Sequence, residues 1–422
     1  MEREEYQDTE IGRIPKDWKV VRLGEVAEIR RKKTLSLRDL KEVAVIPMEL
    51  VPDNGFYADY TLRTLEEIKS FVYCETGDIL LAKITPSLEN GKQGVVPFGI
   101  PNGFAFATTE VFPITPKTIN REFLFYILKF SKFRDFIVAS MTGTTGRQRA
   151  SKDAVENLQI PLPPLPEQKK IAEILSAVDR AIEEADKAIE KTEKLKQGLM
   201  EKLLTEGIGH TDFQDTEIGR IPKDWKVVRL GEVCKEIIMG QSPPGSTYNT
   251  EMRGLPFFQG KADFGEMCPK PRVWCSSPLK IAQPGDVLIS VRAPVGPTNL
   301  ANIHCCIGRG LAALRAGENL EGTWLFYYLR HAEDDLAGSG MGSTFKAITR
   351  RELQNFPLPL PPLPEQKKIA EILMTVDRKM ELLRKKRELL RQVKKGLMED
   401  LLTGRVRVLK LLGKEVEHGA VS

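Results

Sequence analysis

The chain has 422 residues, of which 41% are hydrophobic and 29% charged; this suffices for folded cores and excludes a disordered or fibrous class. Lys and Arg number 63 against 58 Asp and Glu, a net charge of +5 that is compatible with nucleic acid without demanding it. No stretch approaches the roughly 18 apolar residues of a membrane helix and Met1-Glu2-Arg3-Glu4-Glu5 has no apolar run behind it, so the expectation is a soluble, cytoplasmic protein with no membrane partner. Six cysteines at this length are too few for a disulfide scaffold.

Residues 7–26 read QDTEIGRIPKDWKVVRLGEV, and residues 214–233 repeat all twenty. The insert that follows the first copy, 27–158, reads as mixed α/β with many short strands: Asp78-Ile79-Leu80-Leu81 leaves a Gly-Asp turn, and 122–133 carries a helical pattern. Next comes PLPPLPEQKKIAEIL at 161–175, which recurs at 359–373. Pro166 suits a first helical position, and Glu167 stands in the positive first turn. Apolar residues then follow steps of four and three: Ile171, Leu175, Val178, Ile182, Ala185 and Ile189, with Thr192 and Lys196 interrupting before Leu199 and Leu203. This is a coiled-coil seam, and a helix of this length spans roughly 60 Å unless Gly198 ends it early.

The second copy repeats the plan. Its insert, 234–354, again mixes short strands such as Asp286-Val287-Leu288-Ile289 with a helical stretch at 323–331 and a turn-rich loop at 240–247. Its seam runs through Ile369, Leu373, Val376, Met380, Leu383, Leu390, Leu397 and Leu401, interrupted at Arg387 and Lys394, with Gly396 as the matching early stop. The chain therefore divides into a first globular domain (1–160), a first long helix (161–207), a second globular domain (208–358), a second long helix (359–404) and a tail (405–422). Identical frames present identical docking surfaces, whereas divergent inserts read different things. Two amphipathic helices of this length each need a partner. A pseudo-twofold axis pairs them antiparallel and throws the inserts to opposite ends, although the pattern alone leaves a parallel pairing open.

A search for catalytic chemistry returns little. There is no GxxxxGK[ST] loop, no HExxH and no Asn-Pro-Pro-aromatic tetrapeptide, and Gly338-Ser339-Gly340-Met341-Gly342 misplaces the third glycine of a dinucleotide loop. Asp53 with Glu67 and Lys69 fits the loose spacing of a Mg²⁺ nuclease, but Leu65-Glu66-Glu67-Ile68-Lys69 reads as a solvated helix face. Cys268, Cys275, Cys305 and Cys306, beside His304, lack the paired spacing of zinc ligands and are expected to be buried free thiols. His210, His331 and His418 are expected to be isolated surface residues. No catalytic residue and no metal ligand is assigned.

Two inserts on a rigid spacer suit duplex DNA, whose turn is about 34–36 Å. Arg and Lys read guanine, Asn and Gln adenine. The candidates are Lys83, Lys92, Gln93, Arg147, Gln148 and Arg149 in the first insert, and Gln241, Lys261, Arg292, Arg309 and Lys346 in the second. On the helices, Ile171, Leu175, Val178, Ile182, Ile369, Leu373, Val376 and Met380 are the candidates for coiled-coil pairing and partner docking. The rival to a DNA reader is a symmetric scaffold whose inserts bind other proteins.

The two frames EIGxIPxDWxVVxLGEV, the two PLPPLPEQKKIAEIL runs, GLMEKLLT at 198–205, LLTGRVRV at 401–408 and SVRAPVG at 290–296 resemble the specificity subunit of type I restriction-modification systems, over about Thr9 to Val408. The resemblance implies two α/β target recognition domains, each reading half of a bipartite asymmetric DNA site, and two long helices pairing as an antiparallel coiled coil that fixes the spacer. It further implies that the frame docks two methyltransferase subunits, which endonuclease/translocase subunits join. The chain itself then does no chemistry and holds no cofactor; its partners use S-adenosylmethionine, Mg²⁺ and ATP. The tail from Leu409 runs past the usual end and is expected to be disordered.

Overall fold

The two sequence-identical blocks of each copy meet in space. In the computed structural model, which describes residues 6–30, 40–68, 70–144, 146–338 and 347–408, strand Lys19–Arg22 pairs antiparallel with Gln159–Leu162, and Lys226–Arg229 pairs with Pro357–Leu360. Each frame is thus one structural piece, interrupted by its insert. A hairpin precedes each: Tyr6–Thr9 with Gly12–Pro15, and Phe213–Thr216 with Gly219–Pro222. Their identical glutamines do identical work. Gln7 Nε2 donates to the carbonyls of Pro15, Lys16 and Trp18, and Gln214 Nε2 to those of Pro222, Lys223 and Trp225.

The chain folds as two units, one made of Met1–Lys187 with Lys385–Ser422 and the other of Ala188–Arg384. The insert of the first holds a four-stranded antiparallel sheet in the order Ala27–Ile29, Val111–Pro116, Ile79–Ala82, Gln93–Val95, and a second sheet in which Phe104–Thr108 runs parallel to Glu42–Ile46. The insert of the second has the counterpart sheet, Cys234–Met239, Leu311–Ala316, Val287–Ser290, Thr298–Leu300, and a five-stranded sheet in which Leu255–Phe258 runs parallel to Cys305–Ile307. The central strands Ile79–Ala82 and Val287–Ser290 are buried on both faces, which accounts for their unbroken apolar runs.

One domain helix packs on each first sheet. Arg121–Lys129 starts where the Asn120 side chain accepts the Phe123 N–H, and Gly322–His331 where the Glu321 carboxylate accepts the Trp324 N–H. The helical pattern at 122–133 is two helices, because the chain turns at Phe130 and restarts at Ser131.

The long helices run Leu165–Thr205 and Leu363–Leu402. Gly198 and Gly396 end neither; both sit inside helix, where the cost of roughly 1 kcal/mol is spread over a long, packed element. Within each unit the helices run antiparallel. In the first unit Asp179 pairs with Lys394 and Asp186 with Arg387, so a step of seven forward on one helix is a step of seven back on the other. In the second, Lys196 pairs with Asp377 and Glu193 with Arg384. The polar residues that interrupt the apolar seam are these ion pairs. Thr192 returns its hydroxyl to the Ala188 carbonyl.

Ile171, Leu175, Ile369 and Leu373 are fully buried in the core of their own unit; Val376 and Met380 are buried too, and Val178 and Ile182 half-buried. Among the described residues, the large apolar side chains that the long helices leave outward are Leu165, Leu195, Leu382, Leu389 and Val393. No helix among the described residues is long and apolar enough to cross a membrane. The tail from Leu409, Lys346 and His418 lie outside the described residues.

Candidate nucleic-acid interface

In each unit the strand ends of the first sheet gather loops into a polar rim. In the second unit, Gly240 N–H donates to Leu311 and Gln241 N–H to the Ile307 carbonyl, Val291 N–H to Gly310, and Arg309 N–H to Ser242 Oγ. These bonds join the loop after Cys234–Met239, the loop after Val287–Ser290 and the turn before Leu311–Ala316. Arg292 also bridges Ala347, next to the helix Arg350–Asn355. The side chains of Gln241, Arg292 and Arg309 are exposed there, with Lys261 at the end of the strand beside them. Gln259, exposed on the same strand end with its carbonyl against Gly310, belongs to this rim and was not singled out from sequence. Its only signal is a pairing across some fifty residues, which local spacing does not reveal.

The first unit builds its rim in the same places with other residues. Lys83 N–H donates to the Glu110 carbonyl, Ala150 N–H to that of Lys83 and Thr85 N–H to that of Gln148. Ile84 bridges Arg149, as Arg292 bridges Ala347. Arg147 and Arg149 are exposed, and Arg149 is paired with Glu110 at 2.8 Å. Lys83 lies half-buried with its ammonium 4.9 Å from the Phe112 ring centre; burial pushes its pKa below the ordinary lysine range, partly offset by Glu110. Lys92, half-buried, reaches Asp53 at 3.5 Å.

Gln93 is the exception among the candidates. It is fully buried, and its amide donates to the Phe125 carbonyl at 2.7 Å. All three residues of the strand Gln93–Val95 are buried and the Gln93 amide meets the domain helix, so it holds the fold and presents nothing to a ligand.

The other chemical candidates separate as follows. Asp53 faces Lys92, and the Glu67 carboxylate accepts from the Thr64 N–H and hydroxyl as a helix cap; Lys69 lies outside the described residues. The cysteines are free, with Cys74, Cys275, Cys305 and Cys306 buried. Burial pushes the Cys234 and Cys305 thiols up to about 12, which removes them as nucleophiles near neutrality. His304 and His331 are exposed.

His210 is not isolated. Its Nε2 lies 2.8 Å from Glu365 Oε1 and its Nδ1 3.3 Å from Asp224. Glu365 Oε2 also accepts the Trp225 indole N–H at 3.0 Å. The first unit has the same arrangement, with Trp18 donating to Glu167 at 2.9 Å and Arg407 spanning Glu167 and Asp17. Arg407 and His210 come from the turns that follow the long helices. Those turns contain Gly207 and Gly404 at φ +69° and +72°, where an added Cβ would strike the Trp225 ring with Glu365, or Pro15. Only glycine combines that conformation with that close approach. Because the two ring nitrogens of His210 face different carboxylates, the trio has the shape of a bridge between them.

Two mixed α/β domains, each on an antiparallel helix pair and each ending in a polar rim, make a two-copy chain with a repeated frame. The family model of the type I restriction modification DNA specificity domain matches residues 15–191 and again 222–392. The chain is 38% identical to a putative type I restriction enzyme MjaX specificity subunit of Methanocaldococcus jannaschii, covering 96% of this chain and 97% of that one. It is 31% identical to the MjaVIII specificity subunit of the same organism, over 94% and 95%. A solved structure from work on complex assembly and conformational transition of the type I R-M system aligns at 35% identity and a TM-score of 0.58, over 93% of this chain and 99% of that one. An S subunit from M. genitalium, at 17% identity and a TM-score of 0.58, shares the fold. The chain belongs to the family of type I restriction-modification specificity subunits.

Proposed function

We propose that each unit reads one half of a bipartite, asymmetric DNA site through its rim, that the antiparallel helices set the spacer between the halves, and that the repeated frame docks two methyltransferase subunits. The chain supplies no catalytic group; S-adenosylmethionine, Mg²⁺ and ATP serve the methyltransferase and endonuclease/translocase partners. The observation that carries this reading is the contrast within one molecule: frames whose glutamines, tryptophans and helix-start glutamates are held by matching hydrogen bonds, with rims built in the same loops from different side chains. Exposed Arg and Gln on strand-end loops suit base edges in a major groove, and the lysines suit phosphates. Complex assembled with the methyltransferase is expected to bind DNA in a salt-sensitive, sequence-dependent way, and to leave a bipartite methylated mark in a host that lacks it otherwise. A soluble, assembled complex that does neither would favour a scaffold for proteins instead.

A further inference from the structure

Each unit contains a knot, nearly buried in the second and half-buried in the first, that ties three elements at a single carboxylate. In the first, the Tyr126 hydroxyl of the domain helix donates to Asp179 Oδ2 at 2.8 Å, and Lys394 of the opposite long helix reaches Asp179 Oδ1 at 2.6 Å. In the second, the Tyr327 hydroxyl donates to Asp377 Oδ2 at 2.7 Å, and Lys196 reaches Asp377 Oδ1 at 2.5 Å. Both tyrosines are fully buried and Lys196 nearly so. Each ammonium also lies over the face of its tyrosine ring, at 5.7 and 6.0 Å from the centre. The roles of the two long helices are exchanged between the knots: the first helix gives the aspartate to one and the lysine to the other.

An apolar seam of heptads fits nearly as well after a slip of one heptad, and a buried polar pair is what forbids the slip. In the second unit a slip in either direction would set Asp377 against Ile189 or Leu203, leaving Asp377 and Lys196 buried without each other. The tyrosine adds what a seam pair alone lacks, because it fixes the recognition domain to the same atom that fixes the register.

We propose that Tyr126–Asp179–Lys394 and Tyr327–Asp377–Lys196 are register pins, positioning residues through which the chain accepts one spacer length and rejects its neighbours. The proposal rests on the reading of the helices as a spacer. It extends that reading by locating spacer discrimination at six side chains rather than along the whole seam.

The test uses full-length chain assembled with its methyltransferase. Methylation is measured on duplexes whose half-sites stand at the spacing of the wild-type mark, and at one and about three base pairs less and more, the larger step matching the roughly 10 Å of a one-heptad slip. One variant replaces both pins by apolar pairs (Lys196→Met with Asp377→Leu, Lys394→Met with Asp179→Leu), which keeps the seam filled and the helices paired. It should still recognise the same half-site bases but lose about tenfold or more of its preference for the wild-type spacing. A second variant exchanges the charges (Lys196→Asp with Asp377→Lys, Lys394→Asp with Asp179→Lys) and should regain most of that preference. A folded, assembled apolar variant with undiminished spacing preference would overturn the proposal. Absence of any bipartite mark from the wild-type complex would instead overturn the spacer reading itself, and the pins with it.

Discussion

The two units solve one packing problem with different side chains. Beneath each frame a buried tryptophan indole donates to a glutamate at the start of a long helix, and a side chain from the turn after the other long helix closes the cluster. In the first unit that side chain is Arg407, with hydrogen bonds to both Glu167 and Asp17; in the second it is His210, between Glu365 and Asp224. A second exchange occurs at the end of the domain helix. Lys129 donates to the Asp53 and Gly91 carbonyls in the first unit, and Arg330 donates to the Glu266 carbonyl in the second. The residues repeated without change include those whose atoms are used inside the frame: Trp18 and Trp225, Glu167 and Glu365, and the glutamines that follow. Gln168 accepts the Asn120 N–H as Gln366 accepts that of Glu321. Divergence is permitted where a different side chain still reaches the matching partners, and it is greatest at the rims.

The largest effect should come from breaking one frame and not the other. Glu167→Ala leaves Arg407 and the Trp18 indole without their buried acceptor and should cost about 3–5 kcal/mol. Amide exchange should accelerate across the first unit and leave the second little changed; equal acceleration in both would contradict the separateness of the frames. Arg407→Ala should cost more than His210→Ala, since the guanidinium makes more hydrogen bonds than the ring.

The Lys129–Arg330 contrast predicts a pH dependence confined to one unit. Burial, with the charges of Lys394 and Arg134, pushes the Lys129 ammonium down to about 8, against the opposing pull of Asp179 and Asp53. Below that pH the group is charged whether folded or unfolded. Above it the folded chain sheds a proton that the unfolded chain keeps up to the ordinary lysine range. Stability from this group therefore rises with pH, by on the order of 2 kcal/mol between pH 8 and 10. Lys129→Arg should flatten that rise in chemical denaturation of the first unit, and an unaltered slope would contradict the assignment.

Smaller effects belong to the rims. Arg309→Ala should relax recognition at one half-site by about 1–3 kcal/mol and leave the other half intact. Gln93→Ala should lower stability without altering which bases are recognised. A changed recognition sequence would return Gln93 to the interface.

Much of this organisation was legible in the chain. Exact repeats gave the two-copy plan, and spacing of threes and fours gave the long helices, because both signals are local. The polar breaks at Lys196, Arg387 and Lys394 were visible as interruptions, yet their purpose depends on partners roughly two hundred residues away on the opposite helix. His210 looked solitary for the same reason: Glu365 stands beside it only after the frame closes. An amide next to lysine looks like a base reader, and only the packing of the domain helix, whose Phe125 carbonyl accepts from it, places Gln93 inside. The rims themselves depend on strand pairings between distant segments, which no spacing rule in the sequence encodes.

The most direct test of the central claim, that the two units read independently, exchanges the second insert, residues 234–354, for that of a relative. The methylated sites in a host expressing the chimera with its methyltransferase are then mapped at single-molecule resolution. The account predicts a mark in which one half-site is new while the other half and the spacing are those of the wild type. A mark altered in both halves, or one unchanged in either, would contradict it.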